Sequence, residues 1–186
     1  MRTMIKSVRL LLGAALLTAG SLATPAFAQA MSGPDKAAVP ADEGPVSVSY
    51  VKPDEFIDMP RSPQDRAQIL KEIGDHFRKL GKNLPAGQQL KVTVTDLDLA
   101  GRLEPRRWAI DDIRIMRGGA DWPHMELSYV VEQNGQVVRS GSDKLSNMNY
   151  QQRLNKYFSS DALRYEKQMI DDWFQKSIAE AQVSQR

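Results

Sequence analysis

The 186-residue chain has no cysteine and only two histidines, His76 and His124. The lack of cysteine excludes disulfides and a lipid-modified cysteine, so the fold must rest on an ordinary hydrophobic core. Structural zinc sites are built mainly from Cys and His, and two distant histidines do not make one. Charge of one sign is also lacking: 25 Lys and Arg stand against 23 Asp and Glu, for a net +2. Arg2, Lys6 and Arg9 supply three of those positives, and without them the balance is −1. Such a balance gives no support to binding of nucleic acid or an anionic membrane through net charge. There is no G-x-S-x-G elbow. Gly118-Gly119 has neither the Lys-Ser/Thr ending of a phosphate loop nor the glycine spacing of a dinucleotide motif, so the pattern calls for no cofactor.

No apolar run reaches the roughly 20 residues of a membrane span. The shorter run LLLGAALLTAGSLA is there, however, behind the basic start MRTMIKSVR and ahead of Ala26-Phe27-Ala28. A basic start, a short apolar stretch and a small-x-small site predict a secretory signal peptide over residues 1–28, with Ala28-Gln29-Ala30 as a second cleavage site. Residues 29–45, rich in Pro, Gly, Ala and charge, predict a disordered leader. A domain over 46–180 and a short tail over 181–186 complete the organisation.

Val46–Val51 alternates and predicts a strand. Ser62-Pro63-Gln64-Asp65 predicts a helix start, with Ser62 as cap and Pro63 at the first helical position. Ala67, Leu70, Ile73, Phe77 and Leu80 then recur at helical spacing up to Gly81. Gly74 lies in that stripe, where it would let the helix approach a sheet. QLKVTVTD and IRIM predict two further strands, and Asn134-Gly135 predicts a two-residue hairpin turn with Val131 facing Val138. Leu163, Ile170, Phe174 and Ile178 form the stripe of a last helix capped by Ser160 or Asp161. The fold class is therefore α+β: one two-layer domain, an antiparallel sheet of four to five strands with two long helices on one face.

The unusual positions are polar residues where apolar ones are expected. In VTVTDLDLAG, Asp96 and Asp98 fall in the phase of Leu90, Val92 and Val94, whereas Leu97 and Leu99 fall out of it. A one-residue slip reverses the faces of a strand, and a bulge near Thr95-Asp96 would supply it. The aspartates would then accept backbone N–H bonds toward Gly101 or pair with Arg102. His124 follows the extended Trp122-Pro123 and could sit anywhere on a strand edge. Glu166 shares a side with Ile170 on the last helix, and Lys167 and Asp171 are spaced as an i,i+4 pair on what reads as a solvated face. Arg106-Arg107-Trp108 reads as a loop.

Four stretches, LPAGQQLKVTVTDLDLAG, WPHMELSY, SNMNY and LRYEKQMIDDWF, resemble the domain-of-unknown-function 3016 family of secreted or periplasmic bacterial proteins. The resemblance runs from about Val46 to Phe174. It implies export and a single domain, and it brings no activity, ligand or catalytic residue to carry over. The segment before Ile113 is longer than the family pattern. Two readings follow. One is a non-enzymatic exported domain that binds a partner, such as another envelope protein. The other is a hydrolase or metal-dependent enzyme using Asp96, Asp98 and His124.

Overall fold

The computed structural model describes residues 44–104 and 113–180. The segment predicted as a signal peptide, most of the predicted leader, Arg106–Trp108 and the predicted tail lie outside them. Four strands make the main sheet in the order β1-β2-β5-β6. They are β1 (Val46–Tyr50), β2 (Gln88–Asp98), β5 (His124–Gln133) and β6 (Gln136–Ser146). Between β2 and β5 the chain makes a separate antiparallel ribbon of β3 (Arg102–Glu104) and β4 (Ile113–Ile115). The α+β class stands. One detail departs from the sequence expectation: β1 pairs parallel to β2, Val46 to Leu90 through Tyr50 to Val94, so the sheet is mixed. The cause is helix α1 (Pro63–Leu80), which carries the chain back along the sheet. Parallel neighbours require such a crossover.

Helix α1 starts where its cap dictates. The Ser62 hydroxyl accepts from the Asp65 amide at 3.3 Å, and Pro63 occupies the first turn. Its C-terminal residue of closest approach is Gly81 rather than Gly74: a Cβ on Gly81 would lie 2.3 Å from Val46 Cγ2, whereas one on Gly74 would meet only flexible tips of Arg78 and Tyr50. Helix α2 (Arg164–Trp173) continues into a π-helical segment, Phe174–Glu180. It has no side-chain cap at its N-cap residue, Leu163. Asp161, read as a cap, instead turns the chain ahead of it by accepting from the Leu163 amide at 2.9 Å.

Both helices cover one face of the sheet. Ile73 and Phe77 of α1 and Met169, Ile170, Trp173 and Phe174 of the last helix join Val46, Val48, Leu90, Val92, Val94, Leu127, Tyr129 and Val131 in one core. The opposite face carries Ser49, Lys91, Thr93, Ser128, Glu132 and Lys144, with cross-strand pairs such as Lys91–Glu132 at 2.6 Å. Asn134 and Gly135 take φ of 53° and 81°, as a type I′ turn requires. The register beyond the turn is not the expected one: Val131 faces Arg139, and Val138 is left unpaired in a bulge. The slip lets Gly141 come opposite Tyr129. Among the described residues, no helix is long and apolar enough to cross a membrane.

Candidate functional site

Strand β2 slips between Val94 and Asp96, so that Val94 faces Leu127 while Asp96 faces Glu126. The slip turns Leu97 and Leu99 inward, to 0% and 2% exposure, and sends Asp96 and Asp98 to the open face. Asp96 marks the bulge itself: its Oδ1 accepts from the Leu97 amide at 2.9 Å. Arg102, expected as a partner, does not pair with either aspartate. It lies past the turn at Gly101, on β3, with its side chain exposed at the rim of a different concavity.

Asp98 has other neighbours. His124 stands directly across the strand pair, its Nδ1 3.6 Å from Asp98 Oδ2. From the other side, the Ile57 amide donates to Leu97 O at 2.9 Å, and Ile57 bridges Asp98. This brings Asp58, at φ 52°, against the aspartate. Asp98 Oδ1 is buried and receives no donor. Burial, then the like charges of Asp58 and Asp96, push the Asp98 carboxyl up to about 6 against the opposing pull of His124. The arrangement is a carboxyl with a raised proton affinity, Asp98, with Asp58 and an imidazole beside it. Asp58 gave no sequence signal, because it joins the others only through the fold. Among the described residues, no group of three or more His, Asp or Glu is arranged to hold a metal ion. The carboxylates here lie side by side along a strand and a turn instead of converging on a point.

Glu166 and Trp122 belong to a second place. Glu166 is fully buried, and its Oε1 accepts from the Ala100 amide at 2.8 Å and from Arg114. Arg114, on β4, also donates to Ala100 O and Ala162 O. One ion pair therefore ties the ribbon, the end of β2 and the last helix together. Trp122 packs half-buried against Ala100, Tyr150 and Tyr165 beside it. Gly101 completes the turn at φ 81°, where a Cβ would lie 2.6 Å from Ile115 O. The geometry makes Glu166 and Trp122 parts of a brace.

A third cluster contradicts the solvated-face reading of the last helix. His76 and Asp171 are 5% and 8% exposed, with His76 Nε2 2.9 Å from Asp171 Oδ1. Tyr157 donates to Asp171 Oδ2 at 2.6 Å and Lys156 pairs with it at 2.7 Å. Lys167, expected to pair with Asp171, pairs with Asp161 at 2.8 Å instead. Burial alone would raise the Asp171 carboxyl, but hydrogen bonds from His76, Lys156 and Tyr157 outweigh it and hold the group below the usual carboxylate range. Burial and the bond to Asp171 raise the Tyr157 phenol. Asp171 thus clips the 147–160 loop to both helices.

Two concavities lie near these clusters. One, of about 170 Å³, is lined by Arg102, Glu104, Ile115, Arg117 and Asp121. The other, of about 200 Å³, lies between the 147–160 loop and the start of α2. Neither is lined by Asp96, Asp98, His124, His76 or Glu166. No curated protein and no solved structure matches the chain. A family model described as a protein of unknown function, DUF3016, matches residues 44–176, from ahead of β1 into the π-helical segment. That span takes in both strands of the Asp98 cluster and the whole of α2, and the chain belongs to the DUF3016 family.

Proposed function

We propose that this is an exported, non-enzymatic domain that binds a ligand or partner in the bacterial cell envelope. One observation carries the reading. His76, Asp171 and Glu166 are held in buried internal contacts, while the concavity beside the 147–160 loop is lined by arginine, tyrosine and amide groups suited to recognition. Export draws its support from the basic start, apolar run and Ala26-Phe27-Ala28 of the first 28 residues.

The test has two arms. Fractionation of cells expressing the full chain should place the protein in the soluble periplasmic fraction, with Gln29 or Met31 as its first residue. An intact Met1 on membrane-bound protein would refute export. Native mass spectrometry of that material should show a non-covalent adduct that denaturation releases, and the protein should turn over no chromogenic ester, phosphate or glycoside. A second reading, an acid–base hydrolase, is favoured by the raised carboxyl of Asp98 beside Asp58 and His124. Turnover that vanishes in Asp98→Asn would replace the binding reading with that one.

A further inference from the structure

The 200 Å³ concavity beside the 147–160 loop has a chemistry of its own. Tyr150, Tyr157 and Tyr165 form its walls, Arg153, Arg164 and Gln151 are the main polar groups on it, and no carboxylate lines it. Asp172 stands behind Arg153 and, among the described residues, no carboxylate pairs with Arg164, so the two guanidiniums together leave a positive surface that favours an oxyanion. The walls are fixed in advance. Tyr157 is held by Asp171, and Tyr150 donates to Asp121 Oδ1 at 2.9 Å. Tyr150 and Tyr165 lock edge to face with ring centres 4.7 Å apart.

Arg164 is fixed as well. Its guanidinium lies 4.5 Å from the Tyr165 ring centre, one nitrogen donates to Ser159 O at 2.6 Å, and another to the Tyr165 hydroxyl at 2.7 Å. A stacked, hydrogen-bonded guanidinium loses little freedom when an anion docks. Arg153 is anchored through one nitrogen only, to Asp172 Oδ2 at 2.6 Å, and its side chain is 48% exposed, so its other donors remain open to a ligand. Gln151 adds an amide that can bond hydroxyls, and the half-buried Tyr157 ring suits the C–H face of a sugar ring.

We propose that this concavity binds a small hydroxylated oxyanion, a sugar acid or a sugar phosphate, with the anionic group between Arg153 and Arg164 and the ring against Tyr157. The assignment rests on the binding-domain reading and names its ligand class. Purified mature protein is titrated by calorimetry with glucuronate, glucose 6-phosphate, glucose and inorganic phosphate. At least one of the two charged sugars should bind saturably and more tightly than glucose or phosphate. Which of the two binds tells carboxylate from phosphate. Arg153→Gln should weaken that binding at least tenfold, and Gln151→Ala severalfold, with unliganded melting midpoints close to wild type, since both side chains are exposed. Amide shifts in a titration followed by NMR should centre on residues 150–165. Absence of saturable binding by either charged sugar would overturn the proposal. So would binding indifferent to both substitutions, or phosphate binding as tightly as the sugars. If the charged sugars fail while native mass spectrometry still shows an adduct, the ligand class falls and the binding reading stands.

Discussion

Replacing Asp98 by Asn should make the protein more stable at neutral pH and leave it unchanged at pH 4. The wild-type carboxyl is shifted from an ordinary 3.8 to about 6 by burial and by Asp58 and Asp96. A raised acid binds its proton more tightly in the folded chain than in the unfolded one. Between about pH 4 and 6 the native state therefore holds the extra proton, and stability falls as pH rises through that window. Two pKa units correspond to at most about 3 kcal/mol. Water reaches part of this side chain, and screening lowers the figure to about 1 kcal/mol. Asparagine carries no charge to desolvate, and its amide can donate to Asp58. Urea unfolding followed by Trp fluorescence at pH 4, 5, 6 and 7.5 reads the effect: the mutant gains about 1 kcal/mol at pH 7.5 and nothing at pH 4. His124 lies beside Asp98, so the comparison is repeated in an His124→Gln background. A mutant less stable than wild type at pH 7.5 in both backgrounds would show that the carboxylate is favoured there, and the electrostatic account would be wrong.

Phe174→Ala should cost about 3–5 kcal/mol in denaturant stability, because the ring is 4% exposed and joins the main core. Glu166→Ala should cost about 3–5 kcal/mol, since it leaves the Arg114 charge without its buried partner; a double variant with Arg114→Met should recover part of the loss in the same assay. Asp171 behaves opposite to Asp98: its lowered carboxyl contributes stability above about pH 4 that is lost as pH falls through its folded value, so Asp171→Asn should flatten the acid limb of a stability-versus-pH curve. Calcium, magnesium, manganese and chelators should leave the thermal midpoint of the wild type unchanged, as measured by calorimetry, because two aspartates on one strand fill few of the oxygen positions these ions need.

What could be read from the sequence was local chemistry. Ser62-Pro63 sets a helix start, Asn134-Gly135 sets a turn, and the phase break in VTVTDLDLAG sets a bulge, because each is decided by a few consecutive residues. Parallel pairing of β1 depends on where α1 delivers the chain, which no strand residue encodes. The Asp58–Asp98 contact likewise joins residues of a turn and a strand that only the fold brings together. The pairing of His76 with Asp171, 95 positions apart, leaves a trace in the sequence. His76 adjoins Phe77, and Asp171 falls within about 20° of Ile178 on a 3.6-residue wheel, so both lie at the edge of an apolar arc. A polar residue at such an edge on each of two helices is a signal for a buried pair.

The bulge at Val138 also bears on how crowded molecules of this protein meet. Strand β6 is the outermost strand of the sheet on its side, and an outermost strand offers free backbone groups to any extended segment that drifts past. A visiting strand needs an even ladder of amides and carbonyls. The unpaired Val138 breaks that ladder near the turn, and Lys144 places a charge farther along. The two exposed valines at 137 and 138 are thus separated from the regular stretch that could have recruited a neighbour. A chain with Val138 deleted would regain an even edge, one regular strand from turn to end, and with it a greater tendency to recruit a neighbouring strand.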